Sequence, residues 1–279
     1  MKKHVFTVSV VLVFAVGLSI LLYPAVSDYV NSLSQTRVIS KYQDGAARLS
    51  GDDCREILEA ARAFNEKLRL TNNRFSVYNE LIQEDDMRGY LSAFDFTHTG
   101  NIGAIKIDAI DVNLPIYLGT DEGVLQIGAG LFEGSSLPVG GAGTHSIISG
   151  HTGLPSSTLF TNLDRLVIGD TFTLTVLKNT LTYKVDDIKV VKPEEVNHLA
   201  IDPGEDYCTL LTCTPYGVNS HRLLVRGRRV FPEAAAEATQ ANSRDLTFEA
   251  AVAALMLLAA ALAIYKTARK IRYRLLAAQ

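Results

Sequence analysis

A mainly β fold is what this sequence predicts: a closed or nearly closed barrel, behind a helical N-terminal segment and between two terminal transmembrane helices. Three observations lead there. From Gly100 onward, short apolar runs alternate with turn residues at close intervals, a pattern of barrel strands rather than helices. Ahead of them, from Ser27 to about Asp95, apolar residues recur at helical spacing among charges. The two most apolar stretches lie at the ends, each beside basic residues, which is a membrane pattern.

Taken in order, Val5 to Tyr23 carries no charge and follows Lys2-Lys3, close to the roughly 20 apolar residues that cross a bilayer core. Pro24-Ala25-Val26-Ser27 would suit signal-peptide cleavage. The run exceeds the usual apolar core of about 7–15 residues in such a peptide, so a retained anchor over 1–27 is expected. Residues 28–99 form the helical segment. Its clearest helix presents Ile57, Leu58, Ala61, Phe64 and Leu68, with Asp52 or Asp53 as the expected N-cap. A turn at Thr71-Asn72-Asn73 precedes a second helical stretch carrying Leu81, Ile82, Met87, Tyr90 and Leu91.

The barrel is expected over 100–232. Its strands read as 102–107, 112–118, 146–149, 171–177, 181–191, 207–212 and 223–231. Turns fall at Gly119-Thr120-Asp121, Val139-Gly140-Gly141, Ile168-Gly169-Asp170 and Pro203-Gly204. A tether over 233–247, with Ala234-Ala235-Ala236 and Asn242-Ser243-Arg244, leads to a second membrane helix at 248–266. Ala251 to Ile264 has no polar residue on any face, which a surface helix would need. A basic tail, 267–279, follows. Basic flanks at both ends place both termini in the cytoplasm and the middle of the chain outside the cell membrane.

The 279 residues, 47% hydrophobic, suffice for one mid-sized core and these extra segments. The net charge of −3 hides an asymmetry. Seven of the 27 basic residues sit at the ends, so the middle holds 20 against all 30 acidic ones. So acidic a middle lacks the clustered basic face that nucleic-acid binding needs. Three cysteines, Cys54, Cys208 and Cys213, are an odd number for an oxidising compartment, which leaves at least one free thiol or a bond to another chain.

Three features carry chemistry. His151 closes Thr144-His145-Ser146-Ile147-Ile148-Ser149-Gly150-His151-Thr152-Gly153, where an apolar strand meets a glycine-flanked loop and a side chain is held yet accessible. His145 competes for the same role. Cys213 ends the strand of Tyr207-Cys208-Thr209-Leu210-Leu211-Thr212-Cys213 ahead of Thr214-Pro215-Tyr216-Gly217. Five residues apart, Cys208 and Cys213 point to opposite faces of a regular strand, so a disulfide between them would need a bulge. No C-x-x-C spacing supports a redox pair or zinc site. Cys208 is expected in the core and Cys213 at the reactive position. Arg222 begins the next apolar strand, and a hairpin would return it to Cys213. Arg226, Arg228 and Arg229 read as surface charge.

A thiol attacks an amide as thiolate, a histidine supplies and recovers the proton, and a guanidinium stabilises the oxyanion. Cys213, His151 and Arg222 therefore form a minimal acyl-transfer set.

The run Thr209-Leu210-Leu211-Thr212-Cys213-Thr214-Pro215-Tyr216-Gly217-Val218-Asn219-Ser220-His221-Arg222-Leu223-Leu224-Val225-Arg226-Gly227 resembles the TLxTC…R block of sortases. It is most similar to the class C, pilin-polymerising group of Gram-positive bacteria. Leu114-Pro115-Ile116-Tyr117-Leu118-Gly119-Thr120, Gly134-Ser135-Ser136-Leu137-Pro138-Val139-Gly140-Gly141 and Ser149-Gly150-His151-Thr152-Gly153-Leu154-Pro155 resemble the same group. The resemblance spans about residues 100 to 231, and two membrane segments fit class C. It implies an eight-stranded sortase barrel and a cysteine transpeptidase. That enzyme would cleave an LPXTG-like sorting signal between Thr and Gly through a thioacyl enzyme and pass it to a Lys amine of a pilin subunit. Cys213, His151 and Arg222 would be catalytic, with no metal or organic cofactor.

One departure stands out. Class C enzymes usually carry an Asp-Pro-aromatic lid ahead of the barrel, and the corresponding stretch here reads Asn73-Arg74-Phe75-Ser76-Val77-Tyr78. The expectation is an open or weakly gated site, with Phe75 or Tyr78 as the gate, against the alternative that these aromatics only fix the helical segment to the barrel. Competing functions are a housekeeping sortase that anchors surface proteins to a peptidoglycan precursor, and a non-catalytic pilus-assembly binding protein.

Overall fold

A computed structural model describes residues 2–71, 75, 79 and 82–231. The expected tether, second membrane helix and basic tail lie outside the described residues, as do five of the six residues from Asn73 to Tyr78.

The first helix, α1 (Lys2–Arg48), has 47 residues and runs unbroken through Pro24, so the stretch read as a possible cleavage region is helical. At 1.5 Å per residue it is about 70 Å long, more than twice a bilayer core. From Leu12 to Leu33 its large apolar side chains are exposed, Leu21 at 75%. Among the described residues it is the one helix long and apolar enough to cross a membrane. Farther along, Ile39, Tyr42 and Ala46 are buried on one helical stripe. The Tyr42 hydroxyl donates to Ile102 O (2.8 Å) and accepts from Leu177 N (2.9 Å), fixing α1 to the barrel.

Helix α2 (Gly51–Arg69) is capped by Ser50 rather than by Asp52 or Asp53. Ser50 Oγ accepts from Asp53 N, and Asp53 Oδ2 accepts from Ser50 N, both at 3.0 Å. This reciprocal box places the aspartate at the third helical position. The α2 stripe Ile57, Ala61, Phe64 and Leu68 is buried as its spacing predicts. Asn65 shares that face: its amide nitrogen donates to Leu137 O (3.0 Å) and its oxygen accepts from Leu137 N (2.7 Å), tying the helix to the 132–143 loop. Helix α3 (Asp85–Phe94) buries Met87 and Phe94.

Eight strands follow: β1 (Asn101–Ile107), β2 (Val112–Leu118), β3 (Ala129–Leu131), β4 (Thr144–Ser149), β5 (Thr171–Val176), β6 (Asn179–Val191), β7 (Asp206–Thr214) and β8 (His221–Val230). The turn at 121–125 forms one short helix, α4 (Glu122–Leu125). The strands close into a barrel in the order β1-β2-β3-β4-β7-β8-β6-β5. Strand β3 escaped the sequence reading because three residues are too few to show a period. Its Gly130 is needed for close approach: a Cβ there would sit 2.2 Å from Gly119 O. Strand β5 stops at Val176, since Leu177 adopts a left-handed φ of 52°. It alternates between half-buried threonines and buried Phe172, Leu174 and Val176, as a barrel strand should.

Candidate active site

Alternation along the strands decides which residues face outward. On β7, Cys208 and Leu210 belong to the barrel core, while Leu211 joins a second apolar cluster on the outside. Cys213 shares the parity of Leu211. On β4, Ile148 faces the core and Ile147 the outer cluster; on β8, Leu223 and Val225 face the core and Leu224 the outer cluster. By the same parity, His151 and Arg222 continue the outer face.

Register brings these outer positions together. Strands β4 and β7 are parallel, with Ser149 opposite Leu211. The pairing continues past the strand end, where Gly150 N donates to Leu211 O (3.0 Å) and Thr212 Oγ1 donates to Gly150 O (2.7 Å). His151 is therefore carried alongside Cys213. Strands β7 and β8 are antiparallel, with Cys213 directly opposite Arg222. Sequence distances of 62 and 9 residues collapse into one row across three neighbouring strands.

Each member of the row differs from its competitors. Cys213 is a partly exposed free thiol; Cys208 is fully buried, and burial, reinforced by the charge of Asp206, pushes its thiol well above the usual range. His145, the alternative histidine, is buried. Its Nδ1 lies 2.8 Å from Ala200 O, its Nε2 lies 2.7 Å from Thr209 Oγ1, and its ring meets Tyr207 edge-on. It fastens the β6–β7 connection to the barrel. Arg222 has no carboxylate partner among the described residues; its Nη1 donates to Asn219 O (3.2 Å) and His221 O (3.1 Å) in the preceding turn. Its other donors are available to an oxyanion. Of the three arginines expected as surface charge, Arg228 is exposed while Arg226 and Arg229 are partly buried, and all three are paired. Arg226 makes a two-pronged bond to Asp186 (3.0 and 2.9 Å) over the Tyr207 ring, Arg228 reaches Glu205 at 2.9 Å, and Arg229 lies 3.9 Å from half-buried Asp206. Asp186 occupies the β6 irregularity between Val185 and Asp187, which aims its carboxylate at β8.

Several neighbours were not singled out from sequence. The floor beside the row is apolar: Ile147, Val191, Leu199 and Leu224 are buried there, joined by Phe132 and Leu211. Phe75, one of the two expected gate residues, packs on that floor and meets Phe132 edge-on at 5.9 Å between ring centres; Tyr78 lies outside the described residues. The Tyr216 ring covers Gly153, where a Cβ would come within 3.1 Å of it. Glu122, on α4, places Oε2 3.5 Å from His151 Nε2. A hydrogen bond from Gln126, then the charge of His151, hold the Glu122 carboxyl below its usual range. Among the described residues no cluster of His, Cys, Asp and Glu is arranged to hold a metal.

A family model for the sortase domain matches residues 105–230, which include His151, Cys213 and Arg222. The chain is 45% identical to sortase C1 from Streptococcus agalactiae, whose crystal structure aligns with a TM-score of 0.64 over 70% of this chain and 98% of that one. The chain belongs to the sortase family. A Streptococcus pneumoniae sortase C structure, described in terms of catalysis and pilin substrate specificity, is 41% identical. It aligns with a TM-score of 0.61 over 70% of this chain and 97% of that one. Among curated relatives, sortase A of Streptococcus agalactiae is 34% identical over 116 residues, 40% of this chain and 47% of that protein. Sortase D of Bacillus subtilis is 28% identical over 46% of this chain and 63% of that one. The chain thus spans about half to two thirds of the length of those curated relatives. The eight-stranded sortase barrel is the observed fold.

Proposed function

We propose that this sortase is a membrane-anchored cysteine transpeptidase of the pilin-polymerising class. The observation that carries this is the register that sets His151, Cys213 and Arg222 side by side on the outer barrel face. The long match to structures of class C enzymes supports the subclass.

In this reading the Cys213 thiolate attacks the Thr carbonyl of an LPXTG-like sorting signal. Arg222 donates to the tetrahedral oxyanion. Collapse breaks the Thr–Gly bond, and the departing Gly amine takes its proton from the His151 imidazolium, leaving a thioester on Cys213. A Lys amine of a pilin subunit then attacks the thioester and yields its proton to His151, and an isopeptide forms as the thiolate leaves. The Ile147, Val191, Leu199, Leu211 and Leu224 floor offers an apolar seat for the signal's Leu-Pro end, and Phe75 on that floor is a weak gate. The exposed apolar part of α1 is the anchor, with the barrel outside the membrane and both termini in the cytoplasm. Residues 233–247 would be the tether and 248–266 the second membrane helix.

A second reading, anchoring of surface proteins to a peptidoglycan precursor, draws on the matches to proteins named sortase A. One experiment separates the two. The full chain in detergent is given a sorting-signal peptide with a pilin-derived lysyl peptide and a peptidoglycan-type amine in competition. Isopeptide to the lysyl peptide is the expected product. Transfer only to the cell-wall amine would favour the second reading.

A further inference from the structure

Among the charged groups facing the row, one is unexplained by the acyl-transfer set. His151 Nε2 is buried and makes no hydrogen bond among the described residues. The charged atom it faces is Glu122 Oε2, at 3.5 Å. That is an ion-pair distance and longer than a good hydrogen bond.

The carboxylate is held in place rather than free. Asp121 caps α4, its Oδ1 accepting from Gly123 N (3.1 Å) and Val124 N (3.3 Å). Gln126 Nε2, one turn on, donates to Glu122 Oε1 at 2.9 Å. One carboxylate oxygen is thus anchored along the helix and the other is directed at the imidazole. No hydrogen bond occupies His151 Nδ1 among the described residues.

We propose that Glu122 is a positioning residue for the transpeptidation step: it faces Nε2, stabilises the imidazolium, and leaves Nδ1 as the nitrogen that exchanges protons with Cys213, the leaving amine and the incoming amine. The inference rests on the acyl-transfer reading of the site. Its logic is that of a carboxylate orienting a catalytic imidazole, here supplied by a short helix and partly exposed. The other groups around His151 do not substitute for it. Cys213 on β7 is the reaction partner, Arg222 on β8 is a cation one strand farther away, and Tyr216, over Gly153, presents a neutral phenol. Because Glu122 is 72% exposed, the pair is screened by salt, and the contribution of Glu122 shrinks as ionic strength rises.

The test has two readouts on the full chain in detergent. The first needs no substrate. With histidine rings labelled with 15N, the His151 Nε2 resonance recorded at one fixed pH shifts in Glu122→Gln while the signals of the other histidines hold. An unmoved Nε2 resonance overturns the proposal. The second is turnover of a sorting-signal peptide with Cys213 present. Glu122→Gln lowers kcat about two- to tenfold with KM retained, and Glu122→Asp recovers part of the loss. A change in KM alone, or no change in kcat, also overturns it. If the wild-type chain acts on no sorting peptide, the acyl-transfer reading fails, and the Nε2 resonance still decides whether Glu122 governs the ring.

Discussion

Gly150→Ala tests whether the strand end that carries His151 is as tightly seated as the register implies. A Cβ at Gly150 would lie 2.6 Å from Phe160 Cδ2, 2.7 Å from Cγ and 3.1 Å from Cε2. Phe160 is fully buried, and its backbone N donates to His151 O at 3.0 Å. The ring therefore cannot retreat without disturbing the segment that follows His151. Overpacking of this kind costs about 1–3 kcal/mol, which for a domain of this size lowers Tm by roughly 2–12 °C. Acyl-enzyme formation should fall by more than the folded fraction does, because relaxation moves His151 away from Cys213. The check is a thermal melt beside a single-turnover assay, repeated in the Phe160→Ala background. There the added methyl has room, and the extra cost of Gly150→Ala should largely vanish. Unchanged Tm and unchanged acylation in the single variant would refute the reasoning, and so would a cost that persists without the Phe160 ring.

Arg222→Lys should lower the acylation rate by about 10- to 100-fold with the fold intact, since an ammonium lacks the planar fork of donors; wild-type turnover would remove Arg222 from the oxyanion role. Tyr42→Phe leaves Leu177 N without its acceptor and should cost about 1–3 kcal/mol in denaturant unfolding. Burial, as the leading cause, raises the Asp206 carboxyl above its usual range. Its contribution to stability is therefore full at low pH and is lost as pH rises through the carboxylate range. Asp206→Asn should flatten that part of the stability profile measured by thermal melts. In a Cys54→Ala background a bulky thiol reagent should label Cys213 in the folded chain and leave Cys208 untouched until unfolding. Phe75→Ala should speed Cys213 labelling modestly, and a large acceleration would instead mark a closed gate.

How much was legible followed from how local each signal was. The α2 stripe from Ile57 to Leu68 was visible because its 3.6-residue period lies wholly within one helix. Its cap was misassigned because two aspartates follow Ser50 and only the reciprocal bonding separates cap from third position. Cys208 and Cys213 were separable because odd spacing on a strand puts them on opposite faces; Cys208 lies in the core cluster, while Leu211, which shares the parity of Cys213, packs on the outer one. That His151 lies beside Cys213 was not derivable from spacing, since parallel pairing of β4 with β7 joins residues through a long crossover that leaves no periodic trace. The same applies to Asp186 and Glu205 as partners of the β8 arginines, which read as solvated when the neighbouring strand was unknown. Glu122 carried no signal beyond its turn, because its meaning depends on a histidine 29 positions away.

The central claim is tested most directly by intact mass of the full chain after incubation with an LPXTG-type peptide. The account predicts an adduct equal to the peptide up to its Thr, labile to hydroxylamine, present in the wild-type chain and absent in Cys213→Ala and His151→Ala. No adduct and no peptide cleavage across several sorting motifs, or an adduct that survives in Cys213→Ala, would contradict it.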